Sequence, residues 1–231
     1  MEKQFINCML FVTFLLIILY IIFNPYSFGP EIPFVIYRSI KIIDEDTSID
    51  NLTFNNVPAC IYQFYDKNLD PINSNIFYNN IDLNPEFNFY FFSNADARYF
   101  IETHFDNSLL NIYDNLYYSE QKKLWKYCIL YNNGGVYIEN DLINTVPLVN
   151  VINDSNSIIL SKEKNKVSDK FIIAVPQLKI FKDLINSYRN NKILKLNDLV
   201  IKYNYNNNII LHNDRIRITH IKTNQEIFKY E

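Results

Sequence analysis

The 231-residue sequence predicts an α/β domain, a mixed sheet flanked by helices, carried behind one N-terminal membrane-spanning helix. Three observations predict it. Short runs with strand preference alternate with helix-period segments through residues 57–190. Hairpin-like strands follow toward the carboxyl end, which makes the sheet mixed. Ahead of both, Phe5 to Phe23 is a nearly continuous apolar run without a charge.

That run is broken only by Asn7 and Thr13 and ends at Asn24-Pro25. At ~1.5 Å per helical residue it matches the ~30 Å hydrocarbon core of a bilayer. No small-residue cleavage site follows it, so residues 1–28 read as a short tail and an uncleaved anchor. Lys3 opposes only Arg38 and Lys41 across the span, a balance that leaves the orientation open. Residues 29–56, with Pro30, Pro33 and the acidic Asp44-Glu45-Asp46, read as a stem, although Phe34-Val35-Ile36-Tyr37 can instead pair as an edge strand. Asn51-Leu52-Thr53 and Asn153-Asp154-Ser155 are N-glycosylation sequons, meaningful in a luminal or extracellular setting.

Residues 57–231 are long enough for one domain with a sizeable core, and no repeat period is visible. Strands are expected near 59–64, 87–92, 135–139, 157–161, 171–175, 208–211 and 216–220. Helices are expected near 95–105, 119–132 and 178–190. Ile, Asn, Tyr, Phe and Lys are abundant while only three glycines occur, a bias that resembles coding from an A/T-rich genome. The net charge of −3 argues against a nucleic-acid-binding surface. Cys60 and Cys128 fall on an apolar strand and an apolar helix and read as buried thiols, with a disulfide between them open in an oxidising lumen. No nucleophile–base pairing is visible among His104, His212 and His220; either of the last two could add a metal ligand, although a surface or strand role fits both better.

The chemistry concentrates in one segment. Leu124, Cys128 and Tyr131 share a helix face, with Ser119 able to cap its start and Glu120 in its first turn. Asn133-Gly134 stops that helix, and Gly135 permits a sharp turn or a close backbone approach. Val136-Tyr137-Ile138 then runs extended, which would project Glu139 and Asp141 together from a strand's carboxyl end, where open α/β sheets bind ligands. Two such carboxylates can hold a hard divalent cation whose open positions take water and phosphate oxygens. An acid-x-acid pair alone recurs by chance, as Asp44-Glu45-Asp46 illustrates. The succession of helix, glycine pair, apolar strand and acids is the informative feature.

Leu130 to Asp141 resembles the signature of glycosyltransferases with a DXD-containing sugar-binding region, the group that includes yeast-type α-1,6-mannosyltransferases and α-1,4-galactosyltransferases. Val57-Pro58-Ala59-Cys60-Ile61-Tyr62-Gln63 is similar to the family's opening strand, Asn84 to Phe92 to its second, and Phe171-Ile172-Ile173-Ala174 with Pro176 to the segment after the motif. The resemblance implies a single-domain, Rossmann-like GT-A fold. It also implies transfer of a hexose from a nucleotide-sugar to a glycan, glycolipid or glycoprotein acceptor with retention, supported by Mn²⁺ or Mg²⁺. On that reading Asp141 and Glu139 are the catalytic and metal-binding pair. Tyr62, Gln63, Lys126, Gly134 and Gly135 are the donor-binding residues.

Such enzymes are usually type II single-pass membrane proteins with a luminal catalytic domain of the Golgi or ER. Three positions depart from the pattern: Glu139 stands for the first Asp, Lys126 for an Arg, and Lys123 for an Asp. Lys126 keeps charge without the planar fork, and Lys123 reverses a charge. The alternative reading is a silent GT-A domain that binds nucleotide-sugar or glycan at the membrane.

Overall fold

The computed structural model describes residues 36–37, 52–64, 74–152, 157–163, 166–205, 209–213, 217–220 and 226–230. The anchor expected at Phe5 to Phe23, most of the stem and the Asn51 and Asn153 acceptor positions lie outside them. So do the side chains of His212 and His220. Among the described residues no helix is long and apolar enough to cross a membrane.

Twelve strands and six α-helices are present among the described residues. The strands are β1 (Ile36–Tyr37), β2 (Thr53–Phe54), β3 (Val57–Pro58), β4 (Cys60–Phe64), β5 (Asn88–Phe92), β6 (Gly135–Ile138), β7 (Leu142–Asn144), β8 (Ile158–Glu163), β9 (Lys166–Ala174), β10 (Ile209–Asn213), β11 (Arg217–His220) and β12 (Glu226–Tyr230). The helices are α1 (Ser74–Leu83), α2 (Asn94–His104), α3 (Asn107–Asp114), α4 (Tyr118–Asn133), α5 (Lys179–Arg189) and α6 (Leu196–Lys202). All seven strands and three helices expected from the sequence are present, displaced by a few residues at their ends. The helices α1, α3 and α6 and the strands β2, β3, β7 and β12 were not expected.

Ten strands form one sheet in the order β1-β5-β4-β6-β9-β8-β10-β11-β12-β7. β4 is parallel to both β5 and β6, and β9 runs antiparallel to β6, so the sheet is mixed as expected. The chain leaves β4 through α1 to β5 and returns through α2, α3 and α4 to β6 on the other side of β4. That reversal creates a switch point at the carboxyl end of β4, where such sheets form a crevice. β1 pairs antiparallel with β5, the edge-strand alternative for Phe34–Tyr37. The folded unit therefore reaches upstream of the boundary expected at residue 57.

Strand alternation separates two cores. Ile61, Phe89, Val136, Ile138, Phe171 and Ile173 face one side of the sheet. Tyr62, Phe64, Phe92, Tyr137, Ile172 and Ala174 face the other, beneath α2 to α6. On the first side α1 is tied to β7 by asparagines. The Asn80 side chain donates to the Leu142 carbonyl at 3.0 Å and accepts from the Asn144 N–H at 2.7 Å. Asn79 donates to the Asn144 carbonyl at 2.8 Å, and Asn84 accepts from the Leu148 N–H at 2.7 Å. These amides satisfy backbone groups that would otherwise be buried without partners.

Candidate functional site

α4 begins after Tyr117, whose side chain makes no cap hydrogen bond, so Ser119 lies inside the first turn and does not cap the helix as expected. Glu120 does occupy that turn. Leu124 and Cys128 are fully buried, and the helix ends at Asn133 with Gly134 as its cap. Gly134 adopts φ 67° and ψ −153°, a region essentially confined to glycine. A Cβ there would sit 2.6 Å from the Pro176 nitrogen and 2.9 Å from the Ala174 carbonyl. At Gly135 (φ 93°) a Cβ would meet the Cys60 carbonyl at 2.7 Å. The close approach these glycines permit is to the protein's own backbone. They stand at the start of β6, about 13 Å of strand away from Glu139 at ~3.3 Å per residue.

β6 ends at Ile138, and Asn140-Asp141 form a turn before β7. Glu139 and Asp141 are therefore off the strand, and their parallel projection from it is corrected. The Glu139 N–H donates to the Lys170 carbonyl at 2.9 Å, the Leu142 N–H donates to the Glu139 carbonyl, and the Asn140 amide donates to the Phe64 carbonyl at 2.5 Å. The turn is thus pinned to the end of β4 on one side and to β9 on the other.

The two carboxylates meet different cations. Glu139 accepts from Lys122 Nζ at 2.5 Å through Oε2 and from the Tyr137 hydroxyl at 2.8 Å through Oε1, with Lys126 Nζ 3.6 Å from Oε1. Its side chain is 17% exposed. Burial would raise its pKa, but the Lys126 and Lys122 ammoniums and these hydrogen bonds outweigh burial and hold it below the usual carboxylate range. Asp141 is 48% exposed and accepts from Lys170 Nζ at 2.9 Å.

Lys126 is only 2% exposed. Its ammonium donates to the Asp169 carbonyl at 2.8 Å, lies 3.2 Å from Asp169 Oδ2, and sits over the Tyr137 ring at 4.3 Å. Burial likewise opposes ionisation of Asp169, and Lys126 overcomes it, leaving its pKa lowered. Lys126 therefore anchors Glu139 and Asp169 from below and, at 2% exposure, is too enclosed to meet a phosphate. Lys123, the reversed charge, pairs with Glu120 at 2.8 Å.

Tyr62 and Gln63 are both buried. The Tyr62 hydroxyl accepts from the Asn133 amide at 3.3 Å, and its ring lines a cavity of about 450 Å³ with Cys60, Tyr90, Phe92, Phe100 and His104. That cavity is bounded by the end of α4, about 16 Å along the helix axis from Lys122 at ~1.5 Å per residue. Neither Glu139 nor Asp141 lines that cavity. Cys60 and Cys128 are not joined in a disulfide. The residues that sequence reasoning missed are Lys122, Asp169 and Lys170. The only signal for the last two was the charged pair directly ahead of the apolar Phe171–Ala174 run.

A doubly wound α/β sheet with an acidic turn beside its switch point defines a class of nucleotide-type ligand sites. Residues 58–160 match the family model described as the glycosyltransferase sugar-binding region containing DXD motif. The matched segment is under half of the chain and contains both Glu139 and Asp141. Among solved structures the chain is similar to "PaToxG Glycosyltransferase", with 12% identity and a TM-score of 0.46 over 68% of this chain and 74% of that one. A comparison with curated proteins finds no match.

The family typically binds a divalent metal. Asp141, a half-exposed hard oxygen donor at the end of the motif, fits such an ion. Glu139 does not fit as a ligand, because both its oxygens are engaged by Lys122 and Tyr137. Among the described residues no group of three or more His, Cys, Asp or Glu side chains could hold a metal.

Proposed function

We propose that this chain transfers a hexose from a nucleotide-sugar to a glycan, glycolipid or protein-linked acceptor, with retention of α configuration, in the manner of the yeast-type mannosyl- and galactosyltransferases it resembles. The observation that carries this reading is Asp141, exposed in a turn that Asn140 pins to the carboxyl end of β4, inside the family-matched segment. Asp141 would hold Mg²⁺ or Mn²⁺, which when bound supplies positive charge to the diphosphate leaving group. Lys122, 27% exposed, holds its ammonium 2.5 Å from Glu139 Oε2, at the residue two before Asp141. Lys126 keeps Glu139 ionised, and Glu139 in turn fixes Lys122. Charge that is pre-placed in this way needs no reorganisation when the bond to the sugar breaks. The anchor expected at Phe5–Phe23, with the luminal placement that the resemblance implies, completes the proposal as a type II membrane enzyme.

Asp141→Ala in the full chain, assayed with Mn²⁺ and a set of nucleotide-sugars, is expected to abolish donor turnover. Unchanged turnover overturns the role of Asp141. The engagement of Glu139 by lysine favours one second reading, a silent domain that binds nucleotide-sugar or glycan. Wild-type protein that binds donor but neither transfers nor hydrolyses it would decide for that reading.

A further inference from the structure

The carboxylates at the turn are each met by a lysine that the fold delivers. Lys122 and Lys126 meet Glu139, Lys126 also meets Asp169, and Lys170 meets Asp141 with 2.9 Å between Nζ and Oδ2. Sheet register sets the last of these pairs. β9 runs antiparallel to β6 with Phe171 opposite Ile138, and the Glu139 N–H donates to the Lys170 carbonyl at 2.9 Å. The residue before it is fixed as well, because Lys126 donates to the Asp169 carbonyl at 2.8 Å. Lys170 therefore starts from a pinned backbone directly across from the turn, and its ammonium reaches the carboxylate two residues beyond Glu139. Unlike the enclosed Lys126, this pair is open: the Lys170 side chain is 39% exposed and that of Asp141 48%. An ion pair so exposed biases an equilibrium by no more than about fivefold, so it holds the carboxylate without locking it.

We propose that Lys170 is a displaceable counter-ion of Asp141: it occupies the oxygen that a divalent cation would take, gives it up when that cation binds, and so lowers the affinity of the site for metal. The inference rests on the reading of Asp141 as the metal ligand and goes beyond it, to what controls loading. Exchange follows from elementary electrostatics, since an ammonium and a divalent cation repel each other and draw on the same carboxylate oxygens. Lys122 is held 2.5 Å from Glu139 and Lys126 is 2% exposed, whereas Lys170 is the described lysine in direct contact with Asp141. Glu139, Asp141 and Asp169 are thus balanced by Lys122, Lys126 and Lys170, and a divalent cation enters by replacing a charge already in place.

The test is a titration of Mn²⁺ alone into the full chain in detergent, with unbound Mn²⁺ read by electron paramagnetic resonance, for wild type, Lys170→Met, Lys170→Gln, Lys170→Arg, Lys123→Met and Asp141→Ala. Both neutral variants of Lys170 should bind Mn²⁺ about three- to fivefold tighter than wild type, and adding Asp141→Ala should erase the gain. Lys170→Arg keeps the charge and adds a planar grip on the carboxylate, so it should bind no tighter than wild type. Lys123 pairs with Glu120 at 2.8 Å and lies close enough to Asp169 to help keep it ionised. Its loss removes a charge from the same neighbourhood without touching Asp141, and Lys123→Met should shift the affinity by less than about twofold. Equal gains in Lys123→Met and Lys170→Met overturn direct competition in favour of a general field. Neutral Lys170 variants with wild-type Mn²⁺ affinity overturn it too, whether their melting temperature holds or falls, and leave Asp141 standing as the ligand. Mn²⁺ binding that survives Asp141→Ala unchanged, or that no variant shows, overturns the metal reading of Asp141 and the inference with it.

Discussion

Lys126→Met removes one charge from beneath the acidic turn while keeping length and apolar bulk. Its ammonium, 2% exposed, lies 2.8 Å from the Asp169 carbonyl, 3.2 Å from the Asp169 carboxylate and 3.6 Å from that of Glu139. Removing one partner of a buried pair costs about 3–5 kcal/mol. The low end, about 3 kcal/mol, applies here because Glu139 keeps Lys122 and Asp169 is a third exposed and screened by solvent. For a domain of this size that lowers Tm by about 6–12 °C.

The pH dependence follows from direction. The Glu139 pKa is lowered in the folded state, so its contribution is complete above the ordinary value of 4.5 and is lost as pH falls through the folded value. The gap between wild type and Lys126→Met should therefore be widest near neutral pH and close below about pH 4.5. Adding Glu139→Gln should recover part of the loss. Thermal unfolding of the two single variants and the double variant from pH 3.5 to 7 tests this. A single-variant loss below about 0.5 kcal/mol, or strict additivity in the double variant, would refute the buried network as the source of stability.

Other outcomes follow from the same coordinates. Gly134→Ala should cost about 3 kcal/mol or more, because a glycine-only backbone conformation and a 2.6 Å backbone clash act together; circular dichroism melts would reveal it. Asn80→Leu should cost about 3 kcal/mol by stranding the Leu142 carbonyl and the Asn144 N–H, with denaturant midpoints as the measure. The Cys128 thiol is fully buried and its pKa is pushed up by burial, so alkylation followed by peptide mapping should modify Cys60 in the native protein and Cys128 only on unfolding.

The motif was legible because glycine is rare here and its local context is contiguous in sequence. Strand β4, helix α4 and strand β6 announce themselves through apolar period and the Asn133-Gly134 stop. The electrostatics around the motif were not legible. Which lysine reaches Glu139 depends on α4 lying beside β6, and Lys170 reaches Asp141 only because β9 pairs with β6 in the register Ile138 to Phe171. Helix α1 escaped for another reason. Ser74–Leu83 is rich in asparagine, a poor helix former, and it is held by tertiary bonds from its own Asn79 and Asn80 to β7 and from Asn84, just past its end, to the segment after β7. The N-cap Asp106, three residues ahead of Leu109 and four ahead of Leu110, was an available signal for α3.

That arrangement of amides has a wider effect. β7 pairs with β12 along one side only, and a strand left open along its other side is a template for pairing with another chain. Asn79 and Asn80 occupy the exposed row of β7 backbone groups, so the strand directly after the acidic turn has no vacant ladder to offer a second molecule. In a chain this rich in strand-forming aromatics, the asparagines of one short helix guard against edge-to-edge self-association at the place where it would obstruct the crevice.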